Sequence, residues 1–276
     1  MPTHAQLLKQ YVSSLWRVML PLLGGLLVCT AALWAAFGRR ASLPLLLAGA
    51  AAVWLILNFL LYTWVLRKLK REKPLYDLMA EKGVCDEVLQ KHREIYPNPG
   101  IEEQLRYIDM LILLERYTEA ETLLRAIVPK QVQPPQQLIF YNCRMLLCTE
   151  TGRAAEAYQI LSANRTMLDS YAKLNSQAAS AYYATASLVY ALHGDADTSA
   201  YYCDLVRAHD SDGNDVLRLI AEIACAERLY ALRQTAEADA LADSIRAKIA
   251  AADMKDWQRD RLLHAVSKAS RYSQTV

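Results

Sequence analysis

Three phenylalanines, nine glycines and nine prolines are few for a chain of 276 residues. So little glycine and proline excludes a collagenous or low-complexity protein. Strand-like alternation of apolar and polar residues is missing over any useful length, which argues against a sheet. The six cysteines (Cys29, Cys85, Cys143, Cys148, Cys203 and Cys225) form no C-x-x-C pair and no close framework. Scattered in this way, they read as small apolar residues in a reducing compartment. The five histidines are dispersed as well, and zinc needs its donors clustered, so no metal is expected. No Gly-rich phosphate loop, G-x-S-x-G, H-E-x-x-H or pair of catalytic carboxylates appears. The expectation is a protein without catalytic, cofactor or metal residues, and not an enzyme.

Charge is missing from two long stretches. Val18 to Phe37 holds 20 residues without a charge, and Ala41 to Leu66 holds 26. A hydrocarbon core of ~30 Å needs ~20 helical residues, so both runs are long enough to span. A cleaved signal has an apolar run of only ~7–15 residues, which the first run exceeds. Arg39 and Arg40 split the pair, each costing ~2.5–3.5 kcal/mol at a bilayer centre. Pro44 falls in the first turn of the second helix, where its missing N–H is harmless. Trp16, Trp34, Tyr62 and Trp64 lie near the ends, as interfacial aromatics do. With no ionisable group in either run, nothing suggests an ion path, and Asn58 is the polar residue available to bond across the pair. The hairpin reads as an anchor.

Orientation follows the basic residues. Arg67, Lys68, Lys70, Arg71 and Lys73 follow the second run, against Arg39 and Arg40 in the turn. The positive-inside rule then puts both termini in the cytoplasm of an integral protein, most simply one of the cell membrane. The expected segments are a cytoplasmic stretch 1–15, a transmembrane hairpin 16–66, a basic juxtamembrane stem 67–73 and a cytoplasmic body 74–276. Nine Lys/Arg against one acid give the part before Pro74 a charge of +8, while 22 basic and 28 acidic residues leave the body at −6. An acidic body excludes nucleic acid, whose binding needs a basic footprint.

Through the body, apolar residues recur at three and four. Breaks fall at Gly83, Pro97–Gly100, Pro129–Pro135, Gly152, near Asn164, at Gly194 and at Asp212-Gly213. Five turns share a pattern: Gly83, Glu115, Gly152, Gly194 and Arg233 are each followed five residues later by Val88, Ala120, Ala157, Ser199 and Ala238. Stacked helix pairs of this kind bury together what one pair cannot bury alone. Gly152-Arg153-Ala154-Ala155-Glu156-Ala157 with Leu161 and Tyr141 resembles the tetratricopeptide repeat, and Gly194 with Tyr183 and Tyr190 comes next. Tyr76, Ile108 and Met145 stand where that family carries a small residue. The resemblance covers roughly Pro74 to Ala250 and implies an all-α protein, a membrane hairpin followed by a solenoid of about five helix pairs. Met254 to Tyr272 reads as a polar closing helix.

The family register implies an inner groove formed by Leu105, Asp109, Ile112, Asn142, Leu146, Leu188, Ile223 and Glu227. An apolar floor with acidic flanks suits an extended or helical peptide carrying basic residues. Simpler readings hold elsewhere. Asp210–Asp215 lacks the glycine and glutamate of a calcium loop and reads as a turn capping the next helix. Asn164-Arg165-Thr166 is a sequon that a cytoplasmic body would not use. Tyr182-Tyr183 and Tyr201-Tyr202 read as packing between pairs. Thr118 with Glu121 reads as a capping box. The expected function is recruitment of a cytoplasmic protein to the membrane by a non-enzymatic scaffold. The alternatives are an all-α enzyme or small-ligand sensor with a pocket between repeats, or an accessory subunit of a larger membrane complex.

Overall fold

A computed structural model describes residues 24, 25, 28, 43–174, 176–209 and 215–273. Among the described residues there are eleven α-helices and no strand. The chain divides into two units, Met1–Lys82 and Gly83–Val276.

In the first unit, helix α1 (Leu43–Lys82) runs for 40 residues, about 60 Å at 1.5 Å per residue. Its stretch Ala51–Lys82 is, among the described residues, the one helix long and apolar enough to cross a membrane by length and composition. The earlier apolar run, with Arg39 and Arg40, the expected first span and its turn, lies outside the described residues save for Gly24, Gly25 and Val28. Pro44 sits in the first turn of α1, as expected. Asn58 donates Nδ2 to Trp54 O at 2.8 Å within its own helix, and the expected partner across a helix pair lies outside the described residues. The basic stem is no separate segment: α1 continues through Lys73 and Pro74. Proline removes one backbone donor, and the rest of the ladder carries the helix on to Lys82. The boundary expected at residue 73 therefore falls at Gly83, whose φ of +73° ends the helix.

The second unit begins with α2 (Asp86–Ile95), followed by α3 (Ile101–Leu113), α4 (Tyr117–Ala126), α5 (Pro134–Glu150), α6 (Ala154–Leu174), α7 (Ser176–Leu192), α8 (Ala196–His209), α9 (Asp215–Ala231), α10 (Thr235–Ala251) and α11 (Asp256–Ala269). Four successive pairs form: α3 packs on α4, α5 on α6, α7 on α8 and α9 on α10. The first helix of each pair also packs on the first helix of the next, so α3, α5, α7 and α9 make a row. Helix α11 packs on α9 and α10.

One turn geometry repeats. Gly83, Glu115, Gly152, Gly194 and Arg233 are the described residues with positive φ, and they are the five turn positions aligned from the sequence. Four of these turns close with the same bond, from the residue after the turn back to the carbonyl five earlier. They are Arg116 N to Leu111 O (2.9 Å), Arg153 N to Cys148 O (2.7 Å), Asp195 N to Tyr190 O (2.9 Å) and Gln234 N to Leu229 O (3.0 Å). This is the Schellman closure of a helix C-terminus. Five residues after each turn, Val88, Ala120, Ala157, Ser199 and Ala238 are fully buried. Ser199 is accommodated there by a reciprocal pair of bonds: Ser199 Oγ donates to Ser187 O (2.7 Å) and Ser187 Oγ to Ser199 O (2.9 Å).

Several local expectations are corrected. Helix α6 runs through Asn164, whose Nδ2 donates to Ile160 O (2.8 Å). The expected break there is absent, because a half-buried polar residue that bonds back into its own helix does not interrupt the ladder. No capping box forms at Thr118: α4 starts at Tyr117, since the closure at Arg116 sets its first turn, and Glu121 pairs instead with Arg125 and Arg153. Residues 210–214 lie outside the described residues, and α9 starts at Asp215. Tyr182, Tyr183 and Tyr202 are buried between helices while Tyr201 is exposed. The hydroxyls of Tyr182 and Tyr202 donate to Asp169 Oδ1, each at 2.8 Å, and not to water. Cys203 of α8 and Cys225 of α9 form a disulfide, which corrects the reading of the cysteines as unpaired.

Because an L-residue in the left-handed region costs about 1–2 kcal/mol relative to glycine, Arg233→Gly, at an exposed turn with φ of 60°, is expected to stabilise the unit by about 1 kcal/mol. Gly194→Ala, where an added Cβ meets nothing within 4 Å, is expected to cost about the same. Denaturant unfolding of the detergent-solubilised chain checks both.

Candidate functional site

The eight residues expected to form a groove all lie on first helices of pairs: Leu105, Asp109 and Ile112 on α3, Asn142 and Leu146 on α5, Leu188 on α7, Ile223 and Glu227 on α9. Leu105, Ile112, Asn142, Leu188 and Ile223 are buried, whereas Asp109, Leu146 and Glu227 are half-buried. The structure fills this face with the chain's own C-terminus. Ile223 shares a core with Leu262 and Val266 of α11, and Leu188 shares one with Ala269 and Tyr272. Arg261 of α11 is the charge that offsets the burial of Asp109. Glu227 feels the charges of Arg271 and Lys268. An open apolar floor is thus replaced by a covered one.

Polar contacts bind α11 to the far end of the row. Glu115, in the turn before α4, takes Lys268 Nζ at 2.8 Å and lies 3.1 Å from His264 Nε2. Glu150, the last residue of α5, takes Lys268 Nζ at 2.7 Å, Tyr117 Oη at 2.6 Å, Tyr272 Oη at 3.0 Å and the guanidinium of Arg271. Its side chain is only 9% exposed, so four donors surround a nearly dry carboxylate. Lys268 also donates to Tyr117 Oη at 2.8 Å and lies 5.5 Å from the centre of that ring. At the other end of α11 the Trp257 ring sits against Gly83, where a Cβ would come within 2.5 Å of it. Gln258 Oε1 accepts from Lys255 N at 3.1 Å, which fixes the start of the helix.

These contacts shift the acids apart. Hydrogen bonds from Lys268 and His264 hold Glu115 down at about 2. Burial pushes Glu150 up, but bonds from Lys268, Tyr117 and Arg271 outweigh it and leave the group below its ordinary value. Burial, then the charge of Glu150, raises Glu227 to about 7, against the pull of Arg271 and Lys268. Burial also raises Asp109, and it drives the thiol of Cys143 well up, with Asp109 adding to the effect. Asn142 Oδ1 is buried without a hydrogen-bond partner. Away from this face, burial followed by the nearby Arg106 lowers His92 to about 4, and its Nε2 is buried without a partner between the Tyr96 and Tyr107 rings.

Sequence reasoning missed Glu115, Tyr117, Glu150, Trp257, Lys268, Arg271 and Tyr272. A signal was available: Arg261, His264, Lys268 and Arg271 recur at three and four along the last helix and its continuation, as a docked basic stripe does. A second concavity of about 300 Å³ lies among α4, α5 and α6, with Phe140 and Leu147 beneath Arg125, Arg144 and Arg153. Glu121 and Glu156 already pair with two of those arginines. Among the described residues no group of three or more His, Cys, Asp or Glu could hold a metal. Of the basic residues expected to set membrane orientation, Arg39 and Arg40 lie outside the described residues. Arg67, Lys68, Lys70, Arg71 and Lys73 lie on α1, where Lys68 stands 3.8 Å from Glu72 and Lys73 pairs with Asp77 at 2.6 Å. No family model, curated protein or solved structure matches this chain.

Two pH effects of opposite sign follow. Between its ordinary 4.5 and about 7, folded Glu227 holds a proton that the unfolded chain releases, so docking of α11 weakens as pH rises through that window. Between about 4 and its ordinary 6.5, folded His92 refuses a proton that the unfolded chain binds, so α2 strengthens as pH rises. Amide protection, corrected for intrinsic exchange and measured from about pH 5 to about pH 7, should fall in α11 and rise in α2. Glu227→Gln should flatten the first trend alone. Breaking a buried ion pair leaves its partners uncompensated, so Glu150→Gln is expected to cost about 3 kcal/mol, read by denaturant unfolding.

Proposed function

We propose that this protein is a membrane-anchored, non-enzymatic scaffold, in which a tetratricopeptide-like solenoid holds a protein or peptide partner at the cytoplasmic surface. The observation that carries this reading is the row of first helices, whose acidic inner face already holds a basic amphipathic helix. Surfaces that bind helices are read by apolar anchors at helical spacing with matching charge at the flanks. Here Ile223 meets Leu262 and Val266, and Glu115 and Glu150 meet Lys268.

The anchor rests on α1. Val53, Leu55, Ile56, Phe59, Leu60 and Trp64 are exposed on one continuous stretch, a greasy surface too long to suit water and matched by lipid. The first apolar run, Val18 to Phe37, would complete a two-span hairpin with the basic residues on the inner side. Proximity labelling from the C-terminus in intact cells tests sidedness and partner together. Labelled soluble cytoplasmic proteins are expected, and a set confined to the opposite side would overturn the reading.

The Cys203–Cys225 disulfide favours a second reading, in which the helical body faces an oxidising compartment, since disulfides persist there and are rare in the cytosol. Protease added to unbroken cells separates the two. Under the first reading residues 83–276 survive and the pair is trapped as thiols by rapid alkylation. Digestion, with the pair resistant to alkylation, would establish the second.

A further inference from the structure

We propose that α11 and the 3₁₀ turn Ser270–Ser273 are the resident occupant of a helix-binding face, and that the face's external ligand is a basic amphipathic helix of the same pattern, which displaces them. This rests on the scaffold reading and adds the partner's chemistry and its control.

Helix α11 carries two stripes. Arg261 and Lys268, continued by Arg271, present cations, with the His264 imidazole in the same stripe at steps of three and four, beside an apolar stripe of Leu262, Val266, Ala269 and Tyr272. Facing them, Asp109, Glu115, Glu150 and Glu227 come from α3, the turn after it, α5 and α9. A helix lacking cations there would strip Glu115 and Glu150 of their partners and crowd Glu227 against an uncompensated Glu150. Glu227 already reports that crowding through its response to Glu150. The face therefore selects both charge and helical spacing.

Displacement is geometrically simple. Helix α11 is the last α-helix among the described residues, joined to α10 only through Ala252–Lys255. Its removal unthreads no pair. Leu219, Ile223 and Ala226 keep Ala242, Ile245 and Ile249 of α10 as apolar neighbours, so the last pair retains a core. Helix α11 touches Glu115, Tyr117 and Glu150 through side-chain polar contacts, the kind of contact that a competing cation can replace one for one.

The test uses the full chain in detergent and a fluorescent synthetic peptide with the sequence of residues 254–273. The double variant Lys268→Glu, Arg271→Glu releases the resident segment and leaves the acidic face intact. It should bind the peptide at least about tenfold more tightly than the natural chain. Adding Glu150→Gln should reverse that gain, and a scrambled peptide of equal composition should not bind. Equal affinity of the natural and released chains, or indifference to Glu150→Gln, would overturn the proposal.

If the released variant fails to fold, the pair Glu115→Cys, His264→Cys, bridged by a bifunctional methanethiosulfonate reagent that spans the two side chains and is removed by reductant, answers instead. Bridged, it should refuse the peptide; reduced, it should accept it. Equal binding in both states would overturn the displacement step. The peptide assay needs no membrane and no cellular neighbour. Exchange without any labelled neighbour would sink recruitment and leave displacement standing, while a neighbour held equally by bridged and reduced chains would sink displacement alone.

Discussion

A nearly dry carboxylate joins the ends of the helical body. Glu150 closes α5, receives the hydroxyls of Tyr117 and Tyr272, and takes the charges of Lys268 and Arg271. Its partners lie more than thirty residues before it and more than a hundred after it. Buried ion pairs are weak sources of net stability, because desolvation offsets most of their attraction. Their value here is positional. Many placements of α11 could bury Leu262 and Val266, but few could also satisfy Glu115, Glu150 and Glu227.

The same body shows how a repeated local solution builds the surface that Glu150 needs. Each turn places one residue in the left-handed region, and four of the five return the chain with a bond to the carbonyl five residues back. The next small residue then sits at the crossing and lets the two helices of a pair approach closely. Glu115 and Arg233 adopt this geometry without being glycine. Arg233 has no contact that rewards it. Glu115 does: a glycine there would lose the bonds to Lys268 and His264, so the strained conformation places the carboxylate that α11 pairs with.

Charge is distributed to match. The basic residues before Pro74 and the acidic excess after it give the two parts of the chain opposite net charge. Within the body the four carboxylates of the inner face hold four basic groups from α11 and its continuation. What would be an open, strongly acidic groove is instead neutralised from within, and any outside ligand must offer at least as good a match.

Much of this was legible in the sequence, and the boundary of legibility is physical. Helical periodicity, the five turn positions, the buried small residues five steps on and the first-helix positions from Leu105 to Glu227 are all local or periodic properties, fixed by spacing along the chain. The long apolar run of α1 is local too. Two things were beyond that reach: that Cys203 meets Cys225, and that the groove's occupant is Met254 to Tyr272 of the same chain. Each depends on which residues distant in sequence become neighbours, and tertiary packing alone sets that. A stripe of cations on the last helix states what it can pair with. Only the packing of the row α3, α5, α7 and α9 brought the matching carboxylates within reach.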